Sequence, residues 1–132
     1  MSDQDNRWKQ RFANYRKANA LLQNVVKLES PSDIERMGLI HAFEMTIKLG
    51  WKVLKDYPNE QGQIETTPKN VVRRAYQFNI IEDAEPWLEA LDCRNRTSHT
   101  YDREDIIRTE NEIKANYVGL FRQLASEMEA RL

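Results

Sequence analysis

A single cysteine, two histidines, four glycines and four prolines are all that this 132-residue chain holds of the residues that build disulfides, metal sites and tight turns. Cys93, being alone, excludes an intrachain disulfide and a multi-cysteine metal cluster, and it suits a reducing compartment. His41 and His99 lie too far apart in sequence for a metal-binding helix motif, so no metal or other cofactor is expected. So few Gly and Pro leave too little turn chemistry for a sandwich or barrel of many short strands, which favours long helices. An excess of one charge is missing too: 20 Lys+Arg face 21 Asp+Glu, a net charge of -1. General coating of nucleic acid is thereby disfavoured, although a local basic site can still grip a phosphate. Charged residues make up 31% of the chain and mean hydropathy is -0.78. No stretch is apolar enough to span a membrane, and the opening MSDQDNRWKQRF lacks the apolar core of a secretory signal. The expectation is a soluble cytoplasmic protein. With 40% hydrophobic residues the chain can fill one core, so a single domain over 1–132 is expected.

The apolar residues that are present keep helical time. Trp8, Phe12, Tyr15, Asn19, Leu22 and Val26 alternate steps of four and three, which aligns them on one face of a helix, with Asn19 as a polar break in the seam. Ser30-Pro31-Ser32 ends it. Ser32 and Glu35 can cap the next helix reciprocally, and that helix carries Ile40, Phe43, Ile47, Trp51 and Leu54 before Tyr57-Pro58 stops it. Thr67-Pro68 opens a shorter helix with Val71, Val72, Ala75 and Phe78. Asp83 caps another, with Trp87, Leu88 and Leu91 facing inward, which fails near Arg96 to Thr100. From Asp102 a last long helix places Ile106, Ile113, Tyr117, Leu120, Leu124 and Met128 on one side and leaves Glu110, Glu112, Arg122 and Glu127 mostly in water. These segments predict an all-α, antiparallel up-and-down bundle of four to five helices.

The densest polar run, Arg94-Asn95-Arg96-Thr97-Ser98-His99-Thr100-Tyr101, falls at the junction before the last helix. In one unbroken helix Arg94 and His99 would sit roughly 140° apart, so a helix end between them is needed to gather them. Arginine offers a permanent fork of donors to a phosphate, histidine exchanges a proton near neutral pH, and tyrosine donates a hydrogen bond or accepts a modification. Such a set suits metal-independent RNA cleavage, with His99 moving the proton and Arg94 stabilising charge on phosphorus. The same residue types also serve as helix caps and junction packing, and spacing alone leaves both readings open.

RNRTSHTY matches the RxxxxHxY signature of the HEPN superfamily, and is most similar to the small nucleotidyltransferase substrate-binding proteins, or HepT-like toxin family. The stretches from His41 to Lys52, Thr67 to Ala75 and Asn79 to Asp83, followed by Trp87, resemble that family's segments in the same order. The resemblance implies a helical bundle that dimerises and binds a cognate small nucleotidyltransferase, the antitoxin. It implies a toxin that cleaves RNA without a metal, with Arg94 and His99 as the catalytic pair and Tyr101 as the acceptor of AMP. Asn95 is a supporting polar residue. The alternative is a non-catalytic subunit that presents a substrate, or Tyr101 itself, to the nucleotidyltransferase.

Glu44, between Ile40 and Ile47, reads either as a polar contact to the motif or as a surface partner of Lys48. His41 reads as a partly buried structural histidine, Cys93 as a small packed residue, and Trp51 and Trp87 as core or interface anchors. Lys69, Arg73 and Arg74 give the third helix a basic end suited to RNA or an acidic partner face, or simply a solvated one.

Overall fold

In the computed structural model, which describes residues 7–62, 64–99 and 102–132, the apolar face of the first segment becomes α1, Arg7–Val25, with Trp8, Phe12, Tyr15, Asn19 and Leu22 buried. The polar break in that face is satisfied: Gln23 Nε2 donates to Asn19 Oδ1 at 3.1 Å and to the Val118 carbonyl at 3.1 Å. Helix α2, Asp33–Glu60, starts at the expected reciprocal cap, with the Glu35 N–H donating to Ser32 Oγ at 3.1 Å and the Ser32 N–H to Glu35 Oε1 at 2.9 Å. Then follow α3, Pro68–Gln77, α4, Ala84–Thr97, α5, Arg103–Asn116, and α6, Val118–Ala130. These six helices are the regular elements of the described residues.

Helix α2 touches each of the other five and so forms the spine of the bundle. Arg11 Nε meets Asp56 Oδ2 at 3.2 Å and the Arg7 N–H reaches Glu60 Oε1 at 3.1 Å, which sets the start of α1 beside the end of α2 and makes the pair antiparallel. Trp87 approaches Gly50 while Thr97 bonds Glu44, so α4 also runs against α2. Arg103 pairs with Asp33, Arg36 with Glu110, and Phe43 stacks on Tyr117 and touches Phe121, so α5 and α6 run along α2 in its own direction. The result is the expected up-and-down arrangement, with the short α3 packed against α2 and α4.

Three details depart from the sequence reading. Pro58 does not stop α2, which continues to Glu60 with Pro58 buried inside it. A proline this close to a C-terminus forfeits one ladder bond, and the last turn is held elsewhere: Tyr57 packs edge-on against Trp8 and Phe78, and the Gln61 and Gly62 N–H groups donate to the Pro58 and Asn59 carbonyls at 3.0 and 3.1 Å. The last segment is two helices, because Tyr117, with φ -116°, interrupts the helix two residues before Gly119. The ladder survives the break, with the Tyr117 N–H on Ile113 O and the Phe121 N–H on Tyr117 O, each at 3.0 Å. Glu110, expected in water, is 3% exposed, because Arg36 and Lys114 bond its two oxygens at 3.0 and 2.8 Å.

The core collects rings from four helices. Phe43 lies against Tyr117 and Phe121, Trp87 packs on Phe121, and the buried Tyr15 hydroxyl donates to the Phe121 carbonyl at 2.6 Å. Burial of this hydroxyl pushes its pKa well above the ordinary tyrosine value.

Candidate functional site

Helix α4 delivers the polar motif and then ends. Asp83 caps its start, accepting the Glu85 N–H at 3.2 Å, and the buried face Trp87, Ala90, Cys93 and Thr97 presses it onto the core. Thr97 is its last residue, so α4 ends between Arg94 and His99, with Ser98 still at right-handed dihedrals of φ -66° and ψ -13°. Arg94 stands exposed on the last turn, a place where a cation complements the carbonyl end of a helix. His99 is exposed in the following turn, its backbone N–H donating to the Arg96 carbonyl at 3.0 Å. Tyr101 lies outside the described residues. Asp102 caps the next helix by accepting the Asp105 N–H at 2.8 Å.

Beneath the motif, side chains fix this helix end. The Thr97 hydroxyl lies 2.9 Å from Glu44 Oε2 and 2.6 Å from the Arg94 carbonyl, and shares its single proton between them. Glu44 therefore reaches the motif of its own chain through Thr97. Glu112 accepts from Arg96 Nη2 at 2.9 Å and from the Tyr117 hydroxyl at 3.1 Å, tying the last turn of α4 to α5 and α6. Burial, then the charge of Glu112, raises the Tyr117 hydroxyl above the ordinary phenol range, and the same two causes push the Cys93 thiol up to about 12. Cys93 is thus the small packed residue the sequence suggested, 1% exposed. Thr97 and Glu112 escaped the sequence reading: one looked like motif filler and the other like a solvated helix position, and no short-range spacing joins Thr97 to Glu44 or Glu112 to Arg96.

Arg94 and Asn95 also line a groove of about 690 Å³ whose walls are Trp51, Thr67, Pro68, Lys69, Leu88, Leu91 and Asp92. Trp87 is fully buried, whereas Trp51 is half-buried in this wall. Arg73 is exposed, while Arg74 is engaged by Glu65 at 3.0 Å and Gln77 at 2.8 Å. His41 is a correction: it is exposed, not packed, and lines an apolar furrow between α1 and α2 with Leu21, Val25 and Met45. Position 41 falls one residue past Ile40 and two before Phe43, outside the inward arc of α2. Among the described residues no three His, Cys, Asp or Glu side chains cluster as a metal site, and no helix is long and apolar enough to cross a membrane.

Comparison with known proteins agrees with the helical fold. Residues 10–130 match the model of a family described as nucleotidyltransferase substrate binding protein like. A protein of Haemophilus influenzae named as a probable ribonuclease HepT is 37% identical over 51% of this chain and 49% of its own length. The chain thus spans about half the length of that curated relative. A solved structure from Thermus thermophilus superposes with a TM-score of 0.76 at 32% identity, covering 85% of this chain and 96% of that one. A second, from H. influenzae and described as the fold of a substrate-binding domain of a nucleotidyltransferase, gives a TM-score of 0.66 at 25% identity, covering 94% and 98%.

Proposed function

Because the chain belongs to the nucleotidyltransferase substrate-binding protein family, we propose that it is the toxin of a toxin–antitoxin pair: a homodimeric, metal-independent endoribonuclease silenced by a cognate nucleotidyltransferase. The observation that carries this reading is the end of α4 at Thr97, which leaves Arg94 and His99 both exposed on either side of a helix terminus. In the proposed reaction His99 takes the proton from a ribose 2′-hydroxyl, the freed oxygen attacks the adjacent phosphorus, and the 5′-oxygen of the next nucleotide leaves with a proton from water, to which His99 returns the one it took. Arg94 stabilises the extra charge on phosphorus as the new bond forms. The products are a 2′,3′-cyclic phosphate and a 5′-hydroxyl end. Asn95 and Glu44 support the site, Asn95 from the groove and Glu44 through Thr97.

Silencing in this scheme is covalent. The Tyr101 phenol oxygen attacks the α-phosphate of ATP, takes AMP and loses its proton to solvent as pyrophosphate leaves. The added nucleotide blocks the RNA path, and its phosphate competes for Arg94. A cytoplasmic location follows from an RNA target and a nucleotidyltransferase partner.

The second reading, a non-catalytic subunit that serves the nucleotidyltransferase, is favoured by the description of the H. influenzae structural neighbour as a substrate-binding domain. The two part on one experiment: cleavage of a cellular RNA pool in EDTA by protein whose intact mass shows no AMP, beside His99→Ala of matched helical content. Cutting by the wild type alone, with 2′,3′-cyclic ends, supports the ribonuclease. No cutting by either supports the binding subunit.

A further inference from the structure

Beyond the motif, the groove that begins at Arg94 is built like a nucleotide site. Its volume of about 690 Å³ lies within the range of about 300–1,000 Å³ usual for small-ligand pockets. Its lining divides by chemistry. Leu88 and Leu91 of α4, Pro68 of α3 and Trp51 of α2 supply an apolar surface drawn from three helices. Arg94 and Lys69 supply cations, and a third, Lys55, lies against Trp51 with Nζ 5.6 Å from the ring centroid. One acid, Asp92, lies among them. Thr67 and Asn95 add hydrogen-bonding groups, and Thr67 makes no side-chain capping bond to α3. Among the described residues the Trp51 indole N–H is buried without a hydrogen-bond partner, which marks the ring as held with its nitrogen inward rather than satisfied by solvent. A chain with a net charge of -1 that gathers cations around an apolar wall has the polarity a nucleotide demands, a flat base on carbon and a phosphate on nitrogen.

We propose that this groove seats one nucleotide of a single-stranded RNA segment next to the scissile phosphate, its base against Leu88, Leu91 and Trp51 and its phosphate between Lys69 and Arg94. The proposal rests on the ribonuclease reading for the identity of the ligand, and it names Lys69 and Leu91 as substrate-binding residues of that site. Lys69 contributes affinity without base preference, and the apolar wall sets how well the seated base packs.

The test uses the full chain and a short mixed-sequence 2′-O-methyl oligoribonucleotide, which has no 2′-hydroxyl to react. Trp8 and Trp87 are buried at 4% and 0% exposure, so emission changes on binding are read from Trp51 and checked with Trp51→Phe. Expected are quenching on addition of the oligonucleotide, its loss in Trp51→Phe, a fall of about 0.7 in the slope of log affinity against log salt in Lys69→Ala, and roughly tenfold weaker binding in Leu91→Gln. Binding without quenching, or with an unchanged slope in Lys69→Ala, overturns the groove. So does dissociation of an oligomer by Lys69→Ala or Leu91→Gln in light scattering, which would make this face a protein seam. Cleavage of RNA by Lys69→Ala with unchanged KM overturns the groove and leaves the ribonuclease standing. Quenching by the oligonucleotide with no cleavage by the unmodified wild type removes the ribonuclease and keeps the nucleotide site.

Discussion

The Thr97 hydroxyl stands 2.9 Å from Glu44 Oε2, a bond that joins the last residue of α4 to the middle of α2 across 53 residues of sequence. It holds the point where α4 ends between Arg94 and His99, the two residues proposed to act on one phosphate. Glu44→Ala should cost about 0.5–1.5 kcal/mol of stability, the worth of one hydrogen bond, and lower the turnover number for RNA severalfold with little change in KM. Glu44→Gln, which keeps an acceptor for Thr97, should recover most of that turnover. Equal loss in both variants would show that the charge acts on the reaction directly.

Gly50 lets α1 and α4 close on α2. A Cβ there would stand 3.0 Å from Tyr15 Cε2 and 3.2 Å from Trp87 Cη2. Both rings are fully buried, and Tyr15 is pinned by its hydroxyl on the Phe121 carbonyl. Gly50→Ala gains about 1 kcal/mol of helix propensity but overpacks a site where such crowding costs about 1–3 kcal/mol. The expected net is a loss of up to about 2 kcal/mol, seen as a melting temperature several degrees lower. A higher one would mean that the rings yield freely.

What could be read from the sequence was local. The Ser32–Glu35 cap, the Asp83 and Asp102 caps and the stripe through Trp8, Phe12, Tyr15 and Leu22 all depend on residues within a turn or two of one another. The end of α4 inside RNRTSHTY was legible for the same reason. What escaped depends on partners distant in sequence. Glu110 looks solvated until Arg36, 74 residues away, arrives beside it, and Glu112 looks solvated until the end of α4 folds over it. Pro58 reads as a stop because proline breaks helices in general, whereas here Trp8 and Phe78 hold Tyr57 and carry the helix past it. His41 needed the exact orientation of α2, which a stripe of apolar residues sets only within an arc.

Cys93 should be chemically silent in the folded protein. The thiolate is the reactive form, and at 1% exposure, with the thiol pushed up to about 12 by burial and by Glu112, only about one molecule in 10⁴ would carry it at pH 8. A thiol-specific disulfide reagent should leave the native chain unmodified over the time in which the denatured chain reacts completely, as read by intact mass. Rapid modification of native protein would show that the end of α4 opens readily, since Cys93 lies within one turn of Thr97.

Glu110 makes the fold sensitive to acid. Burial raises its pKa, but hydrogen bonds from Lys114 and Arg36 outweigh this and leave it below the ordinary value. A carboxylate whose folded pKa lies below its unfolded one, about 4.3 for glutamate, contributes stability above that unfolded value and loses it as pH falls through the folded one. Glu110→Gln keeps the shape and removes the charge, so it should cost about 1–2 kcal/mol near pH 7, where Arg36 and Lys114 lose a charged acceptor. That difference from wild type should narrow steadily below about pH 4.3, and denaturant titrations across the acid range would measure it. A gap that stays constant down to pH 3 would assign the cost to packing around Arg36 rather than to ionisation. A gap that instead widens as pH falls toward about 4.3 would mean that the folded pKa of Glu110 lies above the unfolded one, which two cations bonded to its two oxygens oppose.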